Sequence, residues 1–398
     1  MWQLSAKLMR LLLIVLLALT TVGPATAQPK PFVLDAILAL TGTAAALGQD
    51  EAAGLAAYEK VVNRTGGLRG QPVHFEIVDD QSNSATAVQL ATTILAKHPI
   101  AVIGSSLAGP SQAMAPLFKN GPVLYAVTPL IYPEKGSYIF GAGAATRLNT
   151  AATMRYFRLK GVTKFAFITT TDASGQDYGR TIDYSLGLGE NKNVTVVDRE
   201  TFNVGDLSIA AQIAHIKAAN PQVIFAYATG TPFGTVLQGL SDAGIDVPII
   251  TAGVNFNPVL LDRFKTYLPK AEMVVGVASF FNPNRDRGDV LKGPIDEFYQ
   301  ALGAAGIKPT AANAYTWDPA RIIISGLRKL GANATPDQLR DYIANLHGFA
   351  GVSGVYDFRI GDQHGLTQDA QIVVRYDPNA PGATKVVSQQ GGAPLAGL

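Results

Sequence analysis

The side chains that most often carry out nucleophilic, proton-transfer or metal chemistry are scarce in this chain, which has five histidines and no cysteine. The histidines lie far apart, and none forms an HxxxH pair, so their spacing does not indicate a zinc hydrolase. The lack of cysteine excludes disulfides, thiolate metal sites, a cysteine nucleophile and lipid attachment through an N-terminal cysteine. We therefore predict no metal and no cofactor.

The glycine-containing motifs do not match catalytic patterns either. The chain has no GxxxxGK[ST] loop, and residues 104–109 fail the GxSxG pattern because Ala108 stands where glycine is required. Gly141-Ala142-Gly143 is a fragment of a dinucleotide fingerprint and is more typical of a hinge or turn. Asp79-Asp80 could hold a metal, although carboxylates after a strand more often cap a loop. We predict no catalytic residue and no enzyme.

Small polar residues after two neighbouring strands are the features most typical of ligand binding. Ser105 and Ser106 follow one predicted strand and precede a helix, where they could hold a carboxylate or could cap the helix. Thr128-Pro129 follows the next strand. Because ligands of open α/β sheets bind outside the carboxyl ends of the strands, these residues mark one wall of a binding crevice.

The composition indicates a globular protein with a small or weakly charged partner. The 398 residues are 47% hydrophobic and 16% charged, and 32 basic residues face 30 acidic ones. Such a chain is long enough for two or three domains. Near neutrality argues against a nucleic-acid partner, which needs a basic surface to displace counterions.

Residues 1–27 have the features of a secretory signal peptide. Lys7 and Arg10 precede the apolar run 11–19, and small residues at 25–27 predict cleavage after Ala27. The alternative is an uncleaved membrane anchor, but the apolar stretch is about a dozen residues and a spanning helix needs about 20. We expect a periplasmic protein with no direct membrane insertion after cleavage.

The elements that position these residues follow a βαβ pattern. Short β-branched runs alternate with helical patterns every 20 to 30 residues or so, which is typical of a parallel sheet. The strands predicted first are 32–38, 73–78, 100–104 and 123–127. A second, similar series begins after Gly141, so the sequence predicts an α/β protein with two lobes.

Several motifs, in order and spacing, resemble the Leu/Ile/Val-binding protein family, the periplasmic solute-binding components of ATP-driven (ABC) importers. They are Leu40-Thr41-Gly42, Leu47-Gly48, Gly66-Gly67, Val78-Asp79-Asp80, Val102 to Ser106, Asp177-Tyr178-Gly179, Tyr356-Asp357-Phe358 and Gly361-Asp362. The resemblance runs from about residue 31 to residue 376, and no single motif in it is specific.

The resemblance implies a type I periplasmic binding fold, in which two Rossmann-like lobes with parallel-dominated sheets close on a ligand. Three crossover segments would join the lobes, near Ala144, Val277 and Gly354. Residues 28–144 and 278–353 would form one lobe, residues 145–277 and 354–388 the other, and 389–398 a mobile tail. The implied partners are a small-molecule ligand and a permease in the inner membrane.

The resemblance also implies ligand-binding residues. In the family, the helix-opening polar cluster and the loop after the next strand hold an amino acid's carboxylate and ammonium, and an aromatic residue comes from the second lobe. Leu47 and Phe256 could form apolar walls or could be ordinary core residues. The binding residues predicted here are Leu47, Ser105, Ser106, Leu107, Ala108, Thr128, Pro129, Tyr178, Thr229, Thr231, Asn255 and Phe256. We expect Tyr315 and Trp317 to pack within a lobe.

One family feature is missing from the sequence. The family has an acid after the strand that here ends at Ile250, where it balances the ligand's ammonium, but residues 251–255 include no Asp or Glu. Burying an ammonium without a carboxylate costs about 3 to 5 kcal/mol. Unless an acid reaches in from elsewhere, we expect a carboxylate ligand without an α-ammonium, such as an aromatic or short aliphatic acid. The alternatives are a branched-chain amino acid, a ligand sensor of the same fold, or a secreted hydrolase.

Overall fold

The computed structural model describes residues 30–283, 285–331, 333–360, 362–380 and 383–397. The predicted signal peptide, 1–27, lies outside the described residues. Among the residues that are described, no helix has both the length and the apolar character that crossing a bilayer requires.

The first lobe is built on a five-stranded parallel sheet with the strand order β2-β1-β3-β4-β5. Its strands are rich in buried aliphatic residues because helices cover both faces of the sheet. Its elements are β1 (Phe32–Leu38), α1 (Ala45–Arg64), β2 (Val73–Asp79), α2 (Ser84–Leu95), β3 (Ala101–Gly104), α3 (Ala108–Met114), β4 (Val123–Ala126) and β5 (Ile139–Gly141).

The second lobe contains a seven-stranded sheet of order β14-β13-β10-β9-β8-β6-β7, in which β13 and β14 run antiparallel to their neighbours. Its elements are α4 (Thr146–Leu159), β6 (Lys164–Thr170), α5 (Ala173–Gly187), β7 (Thr195–Phe202), α6 (Ala210–Ala219), β8 (Val223–Tyr227), α7 (Thr231–Asp242), β9 (Ile249–Ile250), α8 (Pro258–Arg263), β10 (Met273–Ala278), β13 (Gln371–Tyr376) and β14 (Thr384–Val386). The predicted α/β class with parallel-dominated sheets is confirmed.

After β10 the chain returns to the first lobe. The returning elements are α9 (Lys292–Ala304), α10 (Ala311–Leu330), α11 (Pro336–Ala344), β11 (His347–Ala350) and β12 (Val355–Asp357). The α10 helix packs along α1, and the Trp317 ring lies 5.2 Å from the Tyr58 ring. The first lobe is therefore made of two separate chain segments.

The third passage between the lobes lies further along the chain than the expected position near Gly354. Phe358 packs edge-on against Phe140 of β5 at 5.6 Å, and the Gln363 Nε2 group donates to the Ile139 carbonyl at 3.1 Å. These contacts attach residues 355–365 to the first lobe. The passage into the second lobe comes only after them, shortly before β13.

Part of the segment 389–398, which was expected to form a mobile tail, packs against the second lobe. Gly391 and Gly392 are buried, and the Gln368 Nε2 group donates to the Gly391 carbonyl at 3.4 Å. A side chain on Gly392 would collide with the Ala152 carbonyl of α4, at 2.2 Å from its Cβ. Glycine is required there because the backbone approaches α4 so closely.

Helix α1 carries the residue that matters most for the cavity described below. Its buried stripe runs through Leu47, Glu51, Leu55, Tyr58 and Val62, at the spacing of three and four residues that a helix uses to bury one face. Glu51 is the only charged residue on this stripe, and its side chain is fully buried. An acid in a core position of an amphipathic helix needs a polar partner or a neutral form.

Candidate functional site

A cavity lies between the lobes, at the carboxyl ends of β3, β4, β8 and β9. It contains about 490 Å³ of space free of protein atoms, counted out to its mouth. Its walls are Leu47, Glu51, Ser106, Leu107, Val127, Thr128, Pro129, Leu130, Thr146, Asn149, Tyr178, Tyr227, Thr229, Ala252, Gly253, Val254 and Tyr315.

Glu51 and Ser106 form a buried pair on the first-lobe wall. The Ser106 hydroxyl donates a short hydrogen bond to Glu51 Oε2, and the same Ser106 oxygen accepts from the Ala39 backbone N–H at 2.9 Å. Both residues are buried. The single hydroxyl proton of Ser106 is therefore used within the protein and is not available to a ligand in this arrangement.

Burial raises the pKa of Glu51 well above its usual value of 4.5. The Ser106 hydrogen bond works in the opposite direction, while the negative charges of Asp80 and Asp50 raise the pKa further. Burial also raises the pKa of Asp80, which accepts a hydrogen bond from Ser105. The geometry and charges on this wall therefore favour a neutral carboxyl group at Glu51.

Tyrosines provide most of the aromatic surface. The rings of Tyr178 and Tyr227 lie 4.4 Å apart with their planes tilted by 34°, and Tyr315 enters from α10 on the first-lobe side. Burial raises the pKa of Tyr227 to about 12 and raises the pKa values of Tyr178 and Tyr315 as well. All three phenols stay protonated near neutral pH, so each can act as a directional hydrogen-bond donor.

Three buried polar atoms on the cavity residues have no hydrogen-bond partner among the residues that the structure describes. They are Glu51 Oε1, Asn149 Oδ1 and Thr229 Oγ1. Leaving a buried polar atom unpaired costs about 1 to 3 kcal/mol. A polar molecule or water bound in the cavity would supply the missing partners.

Many of the residues predicted from the sequence do line this cavity. The lining residues among them are Leu47, Ser106, Leu107, Thr128, Pro129, Tyr178 and Thr229. The expectation that loops after neighbouring strands form one wall agrees with their position, because residues 106–107 and 128–129 follow β3 and β4. Their role in binding is taken up below as a proposal.

Five predicted residues lie outside the cavity wall. Ser105 donates to Asp80 beneath the loop, and Ala108 packs in the core beside Leu130. Thr231 begins α7 with an exposed side chain.

The two others support the second lobe from within. The Asn255 Nδ2 group donates to the Ala228 carbonyl at 2.8 Å, and its Oδ1 accepts from the Gly230 N–H at 3.1 Å. Phe256 packs against Tyr376, with 6.2 Å between ring centroids. Both residues are buried away from the cavity and hold the loop after β9 in place.

The structure corrects the expectation that no acid faces the cavity. Glu51 lines it from α1, in the first lobe, whereas the family's acid was sought in the second lobe after β9. Tyr315 also faces the cavity, although we expected it to pack within a lobe as Trp317 does. Tyr227 and Asn149 were missed as well. The signal for Glu51 was present in the sequence as a charged residue on the apolar stripe of α1.

The two lobes touch each other beside the cavity. Asn257, at the start of α8, donates from Nδ2 to Asp50 Oδ2 at 2.7 Å, while its Oδ1 caps the helix through the Leu260 N–H at 2.9 Å. Gly230 of the second lobe comes so close to the first that an added Cβ would lie 2.8 Å from the Thr43 carbonyl oxygen. The structure is therefore a closed form, with the lobes in contact over the cavity.

No group of three His, Asp or Glu side chains suited to a metal ion occurs within the part of the chain that the structure describes. The cavity wall likewise contains no lysine or arginine among its described residues. The polar groups available to a ligand in the cavity are hydroxyl groups, amide groups and a single carboxyl group.

Comparison with known proteins gives consistent matches over most of the chain. A curated relative, the Leu/Ile/Val-binding protein homolog 3 of Brucella melitensis, is 24% identical over 239 residues, which cover 58% of this chain and 63% of that relative's length. An extracellular ligand-binding receptor from Rhodopseudomonas palustris HaA2 superposes with a TM-score of 0.78 at 19% identity, covering 89% of this chain and 99% of the other.

A second solved structure is an R. palustris ABC-transporter solute-binding protein in complex with benzoate. Its TM-score is 0.75 at 19% identity, and the match covers 92% of this chain and 98% of the other. The family model described as periplasmic binding protein matches residues 36–378, from within β1 to just beyond β13. The resemblance inferred from the sequence motifs is confirmed, and the chain belongs to the periplasmic binding protein family.

Proposed function

We propose that this protein captures a small organic acid between its two lobes, outside the cytoplasm, and delivers it to the membrane permease of an ATP-driven importer. The observation that carries the proposal is the closed cavity between the lobes. Residues of both lobes line it, and polar atoms without partners surround it. Ligand binding would favour the closed form because only that form offers both walls at once.

The lining supports a carboxylate with a flat or apolar body and no ammonium. Tyr178 and Tyr315 offer phenol donors and aromatic faces, and Leu47 and Val254 add apolar surface. The neutral form of Glu51 favoured by its burial offers no negative charge to an ammonium. The benzoate complex of the R. palustris neighbour is in keeping with this ligand class.

A branched-chain amino acid is the second candidate, favoured by the unpartnered Oε1 of Glu51 and by the name of the B. melitensis relative. If ionised, Glu51 could balance a ligand's ammonium. However, burial and the nearby charges of Asp80 and Asp50 favour the neutral form of Glu51, which does not balance an ammonium. We therefore favour the organic acid.

A thermal-shift screen tests the ligand class directly. Benzoate, a short aliphatic acid and leucine are compared at one pH, with each compound raised well above the concentration needed for saturation. A ligand at 100 times its Kd adds about 2.7 kcal/mol to the free energy of unfolding. We expect benzoate or the aliphatic acid to raise the melting temperature by several degrees and leucine to have little effect. Stabilisation by leucine alone would contradict the proposed ligand class.

The import role needs a separate measurement. Uptake of radiolabelled benzoate is compared between cells of the source organism and cells from which this gene has been deleted. We expect uptake at low external concentration to fall in the deletion strain and to recover when the gene is restored. Unchanged uptake together with tight binding would point to a sensor of the same fold instead.

A further inference from the structure

We propose that Glu51 recognises the carboxylate of the bound acid by donating a hydrogen bond to it from its own neutral carboxyl group. The inference rests on the proposed capture of an organic acid. The cavity wall has no lysine or arginine among its described residues. We therefore assign recognition of the ligand's carboxylate to Glu51 of α1.

The hydrogen bonds around Glu51 favour Oε1 as the oxygen that carries the proton. Oε2 accepts from the Ser106 hydroxyl, which itself accepts from the Ala39 N–H at 2.9 Å. When the Ser106 hydroxyl donates to Oε2, the proton of a neutral Glu51 lies on Oε1, the oxygen that has no partner among the described residues. The sequence suggested the Ser106 hydroxyl as a hydrogen-bond donor to the ligand's carboxylate. It cannot donate to the ligand while it donates to Glu51 Oε2.

The other oxygen of Glu51 is positioned for a ligand. Oε1 is fully buried, has no partner among the described residues, and belongs to a side chain that lines the cavity. A protonated Oε1 would be a donor without an acceptor in the empty cavity. A ligand carboxylate would supply that acceptor, and hydrogen bonds between an acid and a carboxylate are among the short, strong ones.

The charged and titratable groups around Glu51 favour its neutral form. Asp50 lies next to it on α1, and Asp80 follows β2; both carboxylates oppose a further negative charge. Tyr315 of α10 and Tyr178 of α5 line the same cavity with protonated phenols. Burial has the largest effect, since an ionised carboxylate loses its hydration there.

The proposal has a definite pH dependence. Affinity for an organic anion is constant while Glu51 is protonated in the free protein, and it falls about tenfold per pH unit above the pKa of Glu51. In that upper range, binding takes up a proton. A ligand with an ammonium would do the opposite, because it stabilises the ionised form and releases a proton from Glu51.

The experiment compares wild type with Glu51→Gln and Glu51→Ala by calorimetry with benzoate, from about pH 5 to about pH 9, where benzoate stays ionised. Glutamine keeps an acceptor for Ser106 and a donor toward the cavity. We expect Glu51→Gln to bind within about threefold of wild type at low pH and to lose the pH dependence. Glu51→Ala, which has neither group, should bind about 10- to 100-fold more weakly.

A tenfold or greater loss in Glu51→Gln, or wild-type affinity that increases with pH, would overturn the proposal. Melting temperatures of all three proteins without benzoate establish that each variant folds.

A measurement without benzoate separates this inference from the proposed function. Infrared difference spectra of wild type against Glu51→Gln show the carbonyl stretch of a protonated carboxylic acid only if Glu51 is neutral in the free protein. Absence of that band at neutral pH would overturn the inference whatever the protein binds. The band together with no stabilisation by any organic acid would instead overturn the proposed ligand class.

Discussion

The bond between the lobes at Asp50 and Asn257 can be removed without disturbing either lobe. Asn257 uses Nδ2 to reach Asp50 at 2.7 Å and Oδ1 to cap α8. Serine is also a good N-cap but is too short to reach across to Asp50. Asn257→Ser therefore removes the contact between the lobes and keeps the helix cap, so it should shift the protein toward an open form.

The size of the effect follows from what remains at Asp50. A hydrogen bond to a charged group contributes about 1.5 to 3 kcal/mol. The Thr310 hydroxyl still donates to Asp50 at 2.9 Å, so the carboxylate keeps one partner and the lower end applies. A loss of about 1.5 kcal/mol from the closed form weakens ligand binding by about tenfold. Asn257→Asp, which places two carboxylates together, should weaken it further.

Closure can be measured by electron paramagnetic resonance between two spin labels. The chain has no cysteine, so labels on Lys60→Cys and Lys270→Cys report one distance between the lobes. We expect Asn257→Ser to increase the population with a longer distance and to weaken benzoate binding by about tenfold at unchanged melting temperature. If the distance distribution stays as in wild type while binding weakens, this bond does not control closure and the reasoning is refuted.

Three further predictions concern the cavity and the contact between lobes. Tyr178→Ala should weaken benzoate binding by about 30-fold or more in calorimetry, as for a buried aromatic contact, and Tyr178→Phe should weaken it less. Gly230→Ala should weaken benzoate binding, because the added methyl group would displace the Thr43 carbonyl and the backbone φ of 73° is strained for alanine. Equal affinity would show that closure tolerates the methyl group. Glu51 holds a proton in the folded state that the unfolded chain releases, so denaturant titrations should show stability falling as pH rises from about 4.5 toward its raised pKa. Glu51→Gln should reduce that slope and leave the part due to Asp50 and Asp80, whose pKa values are also raised.

The sheets could be predicted from the sequence because their strands are buried on both faces. Runs such as 32–38 and 223–227 consist almost entirely of apolar or β-branched residues, which is typical of a sheet covered by helices. The edge that carries the cavity follows from the same pattern, since the carboxyl ends of parallel strands meet there.

The acid in the cavity could not be located by this reasoning. Glu51 lies on α1, and its signal is a charged residue on the apolar stripe of that helix, which the strand pattern does not contain. Two aromatic residues of α10 also have different surroundings. Trp317 is buried in the first-lobe core, while Tyr315, two positions earlier, faces the cavity. Residues two apart on a helix point in nearly opposite directions, so one role could not be assigned to both.

The third passage between lobes differed from expectation for a similar reason. Tyr356 and Phe358 are parts of a motif that the sequence shows clearly, but its placement depends on long-range contacts. Asp318 of α10 accepts from the Val352 and Ser353 N–H groups at 2.8 Å and from the Tyr356 hydroxyl at 3.0 Å. A buried carboxylate with three donors ties this segment to the first lobe, and only the folded chain brings them together.

Contact between the lobes over the cavity also affects what a purified sample contains. A molecule enclosed by walls from both halves can escape only when they separate, so its exchange with the surroundings is limited by how often that happens. Dilution and washing of the native protein then remove it slowly. Denaturing a freshly isolated preparation and analysing the small molecules released by mass spectrometry would thus identify the natural cargo without any prior guess at its chemistry.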